Sequence, residues 1–220
     1  MFKQSLEICK KDFFSELRTR YAVNALLMFV IVVISVIKFS IGDEKLTNEM
    51  SAGMLWIIIF FATSSGLSRV FVSEEERGTS LLLKLISGSG SVFLGKLLFN
   101  ISLTFILNLF IIFLYIIITN LVINSFYLFI LCISLGNLGL SGVLTIIAAL
   151  ISRASSKGTL FPVLSFPLLL PLLLSSINAT FLCIEGTSIE GVSGELQIII
   201  SYSIVLITAS FLLFDVIWKD

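Results

Sequence analysis

Long apolar runs alternate with short polar breaks along most of this chain. The runs lack the period-two alternation of a half-buried strand, and several exceed the roughly 18 residues that mark a membrane-spanning helix. They predict six spans, at about 22–41, 50–72, 97–119, 125–151, 159–177 and 196–217. The fourth is long enough to tilt or to begin in the interfacial layer. Unbroken runs favour a helical bundle over an outer-membrane barrel, whose strands alternate. Ahead of the first run the pattern changes. Phe2, Leu6, Cys9, Phe13 and Leu17 recur at helical spacing, with Lys3, Glu7, Lys10, Lys11 and Arg18 largely on other faces. This predicts an interfacial elbow helix over residues 1–21 that leads into the first span. The first run is too long for a signal-peptide core, and no small-residue cleavage site follows it. Almost nothing is left for a soluble domain, so residues 1–220 are read as one all-α membrane domain.

Composition agrees. The chain is 57% hydrophobic, against about 45–50% for a soluble domain, and its mean hydropathy is +1.11. Net charge is zero but unevenly placed. Lys3, Lys10, Lys11, Arg18 and Arg20 precede the first span; Arg69 lies at the end of the second, and Arg77, Lys84 and Lys96 follow it; Arg153 and Lys157 follow the fourth; Lys219 follows the sixth. Twelve of the fourteen Lys and Arg thus fall on one side, the exceptions being Lys38 and Lys45. The 178–195 loop carries Glu185, Glu190 and Glu195 and no base. The positive-inside rule then puts both termini in the cytoplasm. Lys38 lies near the end of its span, where it can snorkel.

Several function classes are disfavoured. The chain has no histidine, and within the spans the one carboxylate is Asp215, close to the C-terminal end. Ion-coupled carriers and intramembrane enzymes need ionisable groups at depth, so no catalytic, cofactor-binding or metal-binding residue is nominated. No nucleic-acid partner is expected. Cys9, Cys132 and Cys183 form no C-x-x-C and offer no obvious disulfide partners; they read as small apolar fillers.

One segment comes close to a nucleotide-binding signature. In SGSGSVFLGKLL, residues 87–98, Gly90, Gly95 and Lys96 fit G-x-x-x-x-G-K, but Leu97 stands where Ser or Thr would hold magnesium. A phosphate loop also needs a preceding strand, and here the apolar LLLKLI precedes. The segment reads as a flexible Gly/Ser turn with Lys96 at the membrane interface, and ATP hydrolysis by this chain is not expected. The loop before it begins Glu74, Glu75, Glu76, Arg77, Gly78 and continues TSLLLKLI. Three acids suit the positive end of a short apolar helix. Such a helix lying across the cytoplasmic face is a natural docking surface; the alternative is a solvated charge run.

Small and polar residues mark the spans themselves. Gly136, Gly139 and Gly142 recur every third residue in span 4, with Ser134, Asn137 and Ser141 beside them. They suit a close helix-packing seam, or a path for a polar ligand group, and Asn100 and Asn108 in span 3 are read the same way. Pro162, Pro167 and Pro171 all fall in span 5. They predict a kinked helix packed inside the bundle, serving as a hinge or a fixed bend.

Two stretches carry a resemblance. One is GMLWIIIFFA followed by LSRVFVSEEERGTSLLLKL, within residues 53–85. The other is SLGNLGLSGVLTIIAALISR, then LFPVLSFPLLLPLLL and Ala179-Thr180, within residues 134–180. Over nearly its whole length the chain resembles the haem exporter protein B (CcmB-like) family, the permease subunit of an ATP-binding-cassette complex in cytochrome c maturation. The pattern differs at Ser68, where the family has Glu, and after Ile86, where Gly and Ser replace a segment often rich in proline. The resemblance implies a six-span, type-2-exporter-like permease with an elbow helix and a cytoplasmic coupling helix, in a bacterial inner membrane or a mitochondrial one. It implies a separate CcmA-like ATPase docking at Glu74, Glu75, Glu76, Arg77, Gly78, Leu81 and Leu82. CcmC-, CcmD- and CcmE-like membrane proteins and a second copy of the chain are further implied partners. ATP would be consumed by the partner, and haem is a handled substrate rather than a bound cofactor. Haem export and ATP-driven release of the haem-loaded chaperone both fit; the missing histidine, a usual axial ligand, favours the second. Rival readings are a permease exporting a drug or glycan, and a scaffold that transports nothing.

Overall fold

The computed structural model describes residues 2–19, 21–42, 44, 46–76, 78–152 and 160–219; Arg77, Arg153 and Lys157 lie outside the described residues, as do the side chains of Leu17 and Pro162. Among the described residues all regular structure is helical. An elbow helix α1 (Phe2–Thr19) precedes α2 (Tyr21–Ile41) and α3 (Asn48–Leu67). Two short helices follow, α4 (Val72–Glu76) and α5 (Ser80–Ile86), and then α6 (Ser89–Thr119), α7 (Phe126–Ser152), α8 (Leu160–Glu185) and α9 (Ile189–Lys219). Six of these, α2, α3, α6, α7, α8 and α9, are long and apolar enough to cross a membrane. The chain is a multi-pass membrane protein with an all-α fold.

Helix α7 is the centre of the bundle. It packs against α3, α6, α8 and α9 and is the most buried span, while α2 is the least. Helix ends follow local chemistry. Thr47, in an extended conformation, caps α3 by accepting the Met50 N–H at 3.2 Å on its hydroxyl, and Glu49 sits in the first turn against the positive helix end. Lys38 reaches the Gly42 carbonyl at 2.8 Å, satisfying an acceptor just past the end of α2. Gly186 takes φ +87° and closes α8. Its N–H bonds the Cys183 carbonyl at 3.3 Å and the Thr187 N–H bonds the Leu182 carbonyl at 3.0 Å, the paired bonds of a Schellman turn.

Three expectations from the sequence are corrected. Helix α6 starts at Ser89 rather than near 97, so Gly90 and Gly95 lie inside a helix and not in a flexible turn. Helix α3 stops at Leu67, before the expected 72. The acidic outer loop expected at 178–195 shrinks to residues 186–188, because α8 runs to Glu185 and α9 begins at Ile189. Polar residues end an apolar run without ending a helix, since beyond the hydrocarbon they are solvated. As for span 5, α8 packs against α3, α7 and α9; Pro167 and Pro171 lie within it on its exposed side, and the inward stripe is Ser165, Leu169, Leu172 and Ser176. Pro162 falls in the first turn, where its missing N–H costs nothing. Between the two inner prolines the Tyr202 hydroxyl of α9 donates to the Leu168 carbonyl at 2.8 Å.

Candidate functional site

The near-nucleotide signature is a helix crossing. A Cβ on Gly95 would lie 2.8 Å from both the Ile8 Cβ and the Ser5 carbonyl oxygen, so only glycine lets α1 cross α6 this closely. Among the described side chains of α1, Ser5, Ile8 and Asp12 are buried. Phe13 meets Phe99 of α6 edge to face at 5.1 Å. The apolar stripe read for the interface divides: Phe2 and Leu6 are exposed, while Cys9 and Phe13 are half-buried and pack on the core.

The residue after Gly95 is buried rather than interfacial. Lys96 has a side chain only 2% exposed, with Nζ 2.9 Å from Asp12 Oδ2 and 3.0 Å from Glu74 Oε1. It also donates to the Val70 carbonyl at 3.3 Å, and the ring of Phe71 lies 5.6 Å away. Lys11 completes the cluster, 3.2 Å from Asp12 Oδ1 and 2.5 Å from Glu74 Oε1. Thr79 donates its hydroxyl proton to Glu74 Oε2 at 2.5 Å. Two bases face two acids, so the pairing offsets much of the cost of taking four charges out of water. Burial pushes the Glu74 carboxyl up, but the Lys96 charge and the hydrogen bonds from Lys11, Thr79 and Lys96 outweigh it and hold the group at about 2. Burial works against the charged form of Lys11, yet the bonds and charges of Glu74 and Asp12 leave it above its ordinary value. The cluster joins α1, α4 and α6, with Thr79 leading into α5. Among the described residues it forms no group of three or more His, Cys, Asp or Glu that could hold a metal; its physical effect is to fix the loop between α3 and α6 onto the helices beside it.

Of the residues nominated for docking, Glu75, Glu76, Gly78, Leu81 and Leu82 are exposed, and Arg77 lies outside the described residues. Glu74 is buried in the cluster. Gly78 takes φ +66°, so the acids form a helix of their own instead of leading directly into the apolar one. Glu76 pairs loosely with Arg69 at 3.6 Å. On α5, Leu81, Leu82, Leu85 and Ile86 are 69%, 57%, 84% and 73% exposed, an outward apolar face that no other described residue covers. Its other side is held by Leu83, which packs on the core, and by Lys84, whose ammonium stands 5.6 Å from the Trp218 ring.

Span 4 is a seam on two sides. A Cβ on Gly136 would lie 2.3 Å from Trp56 Cη2 of α3; on Gly139, 2.5 Å from Ser203 Oγ of α9 and 2.7 Å from Leu172 of α8; on Gly142, 2.5 Å from Ile207 of α9. Trp56 is anchored by donating to Thr180 Oγ1 at 2.8 Å. The side of α7 toward α6 carries three polar rungs. Asn100 donates to Thr145 Oγ1 at 2.7 Å, Thr104 and Ser141 share a bond of 2.9 Å, and Asn108 donates to Asn137 Oδ1 at 3.0 Å. Asn137 also reaches the Ile101 carbonyl at 3.2 Å. Asn100, Asn108 and Asn137 thus bond to groups on the neighbouring helix. Sequence reasoning missed the charge cluster, although a lysine within an apolar run was its visible signal. It also set Cys132 and Cys183 apart, whereas their sulfurs lie 3.8 Å from each other.

A family model described as "CcmB protein" matches residues 3–215. Comparison with curated proteins finds no match.

Proposed function

The chain belongs to the CcmB protein family, permease subunits of an ATP-binding-cassette system in cytochrome c maturation, and from that premise we propose that it is a mechanical relay. A separate ATPase subunit docks on the cytoplasmic side against the outward face of α5 and the neighbouring Glu75 and Glu76. Its nucleotide-driven closure moves the loop, and the loop moves α6 and α1 through Glu74, Lys96 and Asp12. One observation carries this reading: an apolar face left uncovered by the other described residues stands directly beside a buried ion cluster that ties it to two other helices. A loop that merely connected two spans would need neither. Both termini and this loop lie in the cytoplasm of a bacterial inner membrane, as the placement of Lys and Arg supports. The energy so transmitted serves the handling of haem with CcmC-, CcmD- and CcmE-like partners. A chain with no histidine suits ATP-driven release of the haem-loaded chaperone better than direct ligation of haem.

Co-purification tests the docking surface. The double variant Leu81→Asp, Leu85→Asp should lose the ATPase subunit by at least about tenfold, a change of about 1.4 kcal/mol, while its amount in the membrane stays at the wild-type level. Recovery of the ATPase at wild-type yield would place the docking surface elsewhere.

A further inference from the structure

Cys132 of α7 and Cys183 in the last turn of α8 are both fully buried, and their sulfurs are 3.8 Å apart. The junction around them is tied down from both sides. The Ser125 N–H, just before α7, donates to the Cys183 carbonyl at 3.0 Å, and the Asn124 amide donates to the Ile184 carbonyl at 2.9 Å. The Schellman turn at Gly186 fixes the end of α8 itself. A disulfide requires sulfurs about 2.05 Å apart, so the bond needs the two sulfurs, already in contact, to close that remaining gap. Loop 120–125 and turn 186–188 lie at the end of the bundle opposite the Lys- and Arg-rich loops. That is the side on which oxidising compartments lie.

We propose that Cys132 and Cys183 are an oxidisable dithiol site whose disulfide staples the outer ends of α7 and α8. The oxidant is a low-molecular-weight disulfide. The thiolate of one cysteine attacks one of its sulfurs and expels the other half as a thiol. The thiolate of the other cysteine then displaces the second half, forming the Cys132–Cys183 bond. Two thiol protons and two electrons leave the protein, and one oxidant disulfide is reduced to two thiols. The staple holds the outer end of α8 on α7, so further movement of α8 falls to its other half, where Pro167 and Pro171 lie. This goes beyond the relay reading and stands apart from where the ATPase docks.

The test uses the full chain carrying Cys9→Ser, embedded in lipid nanodiscs and treated with 4,4′-dithiodipyridine. The expected result is release of two thiopyridones per chain, a protein lighter by two hydrogens with no retained pyridylthio group, and a cross-linked peptide joining positions 132 and 183. Because this variant keeps both cysteines of the pair, it decides the matter without relying on a substitution in the core. Cys132→Ala and Cys183→Ala, added singly, should each hold one mixed-disulfide adduct instead. A pyridylthio group retained on the Cys9→Ser chain, or both thiols still open to maleimide after oxidation and denaturation, would overturn the proposal.

Discussion

Lys96 costs free energy wherever its charge is unmatched, and both its acidic partners come from other helices. Replacing Glu74 by Gln keeps the shape but leaves two ammonium groups facing one carboxylate. The loss should be about 3–5 kcal/mol, the range seen when one member of a buried pair is removed, measured as a drop in thermal midpoint in detergent. The same residue sets an acid dependence. Its folded-state value of about 2 lies below the ordinary 4.5, so its contribution is complete above about pH 4.5 and is lost as pH falls toward 2. The gap in midpoint between wild type and Glu74→Gln should be constant at neutral pH and narrow over that acid window. A gap that stays flat down to pH 2 would mean Glu74 is not the titrating group. The charge of Lys96 within an apolar run was legible in the sequence, but its partners were not. Asp12 and Glu74 are distant in the chain, and only the crossing at Gly95 brings α1 to Lys96.

At the scale of elements, hydropathy revealed which segments span and left their ends unresolved. The start of α6 and the tight α8–α9 turn were missed because a helix continues past the hydrocarbon wherever its polar residues meet water. The elbow was legible as a helix, but not its packed side. A stripe of Ser5, Ile8 and Asp12 has little hydrophobic signal, since it is held by close approach and charge. Pro167 and Pro171, four apart, share one face of α8, and that face points outward. The glycine seam was legible as a seam, because small residues every third position allow close contact in lipid. It yields a quantitative expectation. Gly136→Ala forces a methyl against Trp56 and should cost about 1–3 kcal/mol by overpacking. Gly53→Ala, where nothing lies within 4 Å of the added atom, should be neutral or gain up to about 1 kcal/mol from helix propensity. Thermal unfolding of the two variants in detergent compares them directly, and equal behaviour would remove the seam as a close-packed contact.

The whole molecule is a six-span bundle in which both ends of the chain should share one face. Fluorescent-protein fusions, which mature in the cytoplasm and fail outside it, should light up at both the amino and the carboxyl end; a dark fusion at either end would contradict the orientation drawn from charge. The family was legible because its two sequence stretches survive in recognisable form, and the number of spans because each run is long enough to stand alone. The three polar rungs between α6 and α7 bear on how such a bundle can work. Sliding α7 by one turn would set Asn108 against Ile133 and Thr145 against Lys96, stranding a side-chain amide in hydrocarbon at a cost of a few kcal/mol. The two helices are keyed like a splined shaft, so turning or tipping them together costs less than ratcheting one past the other.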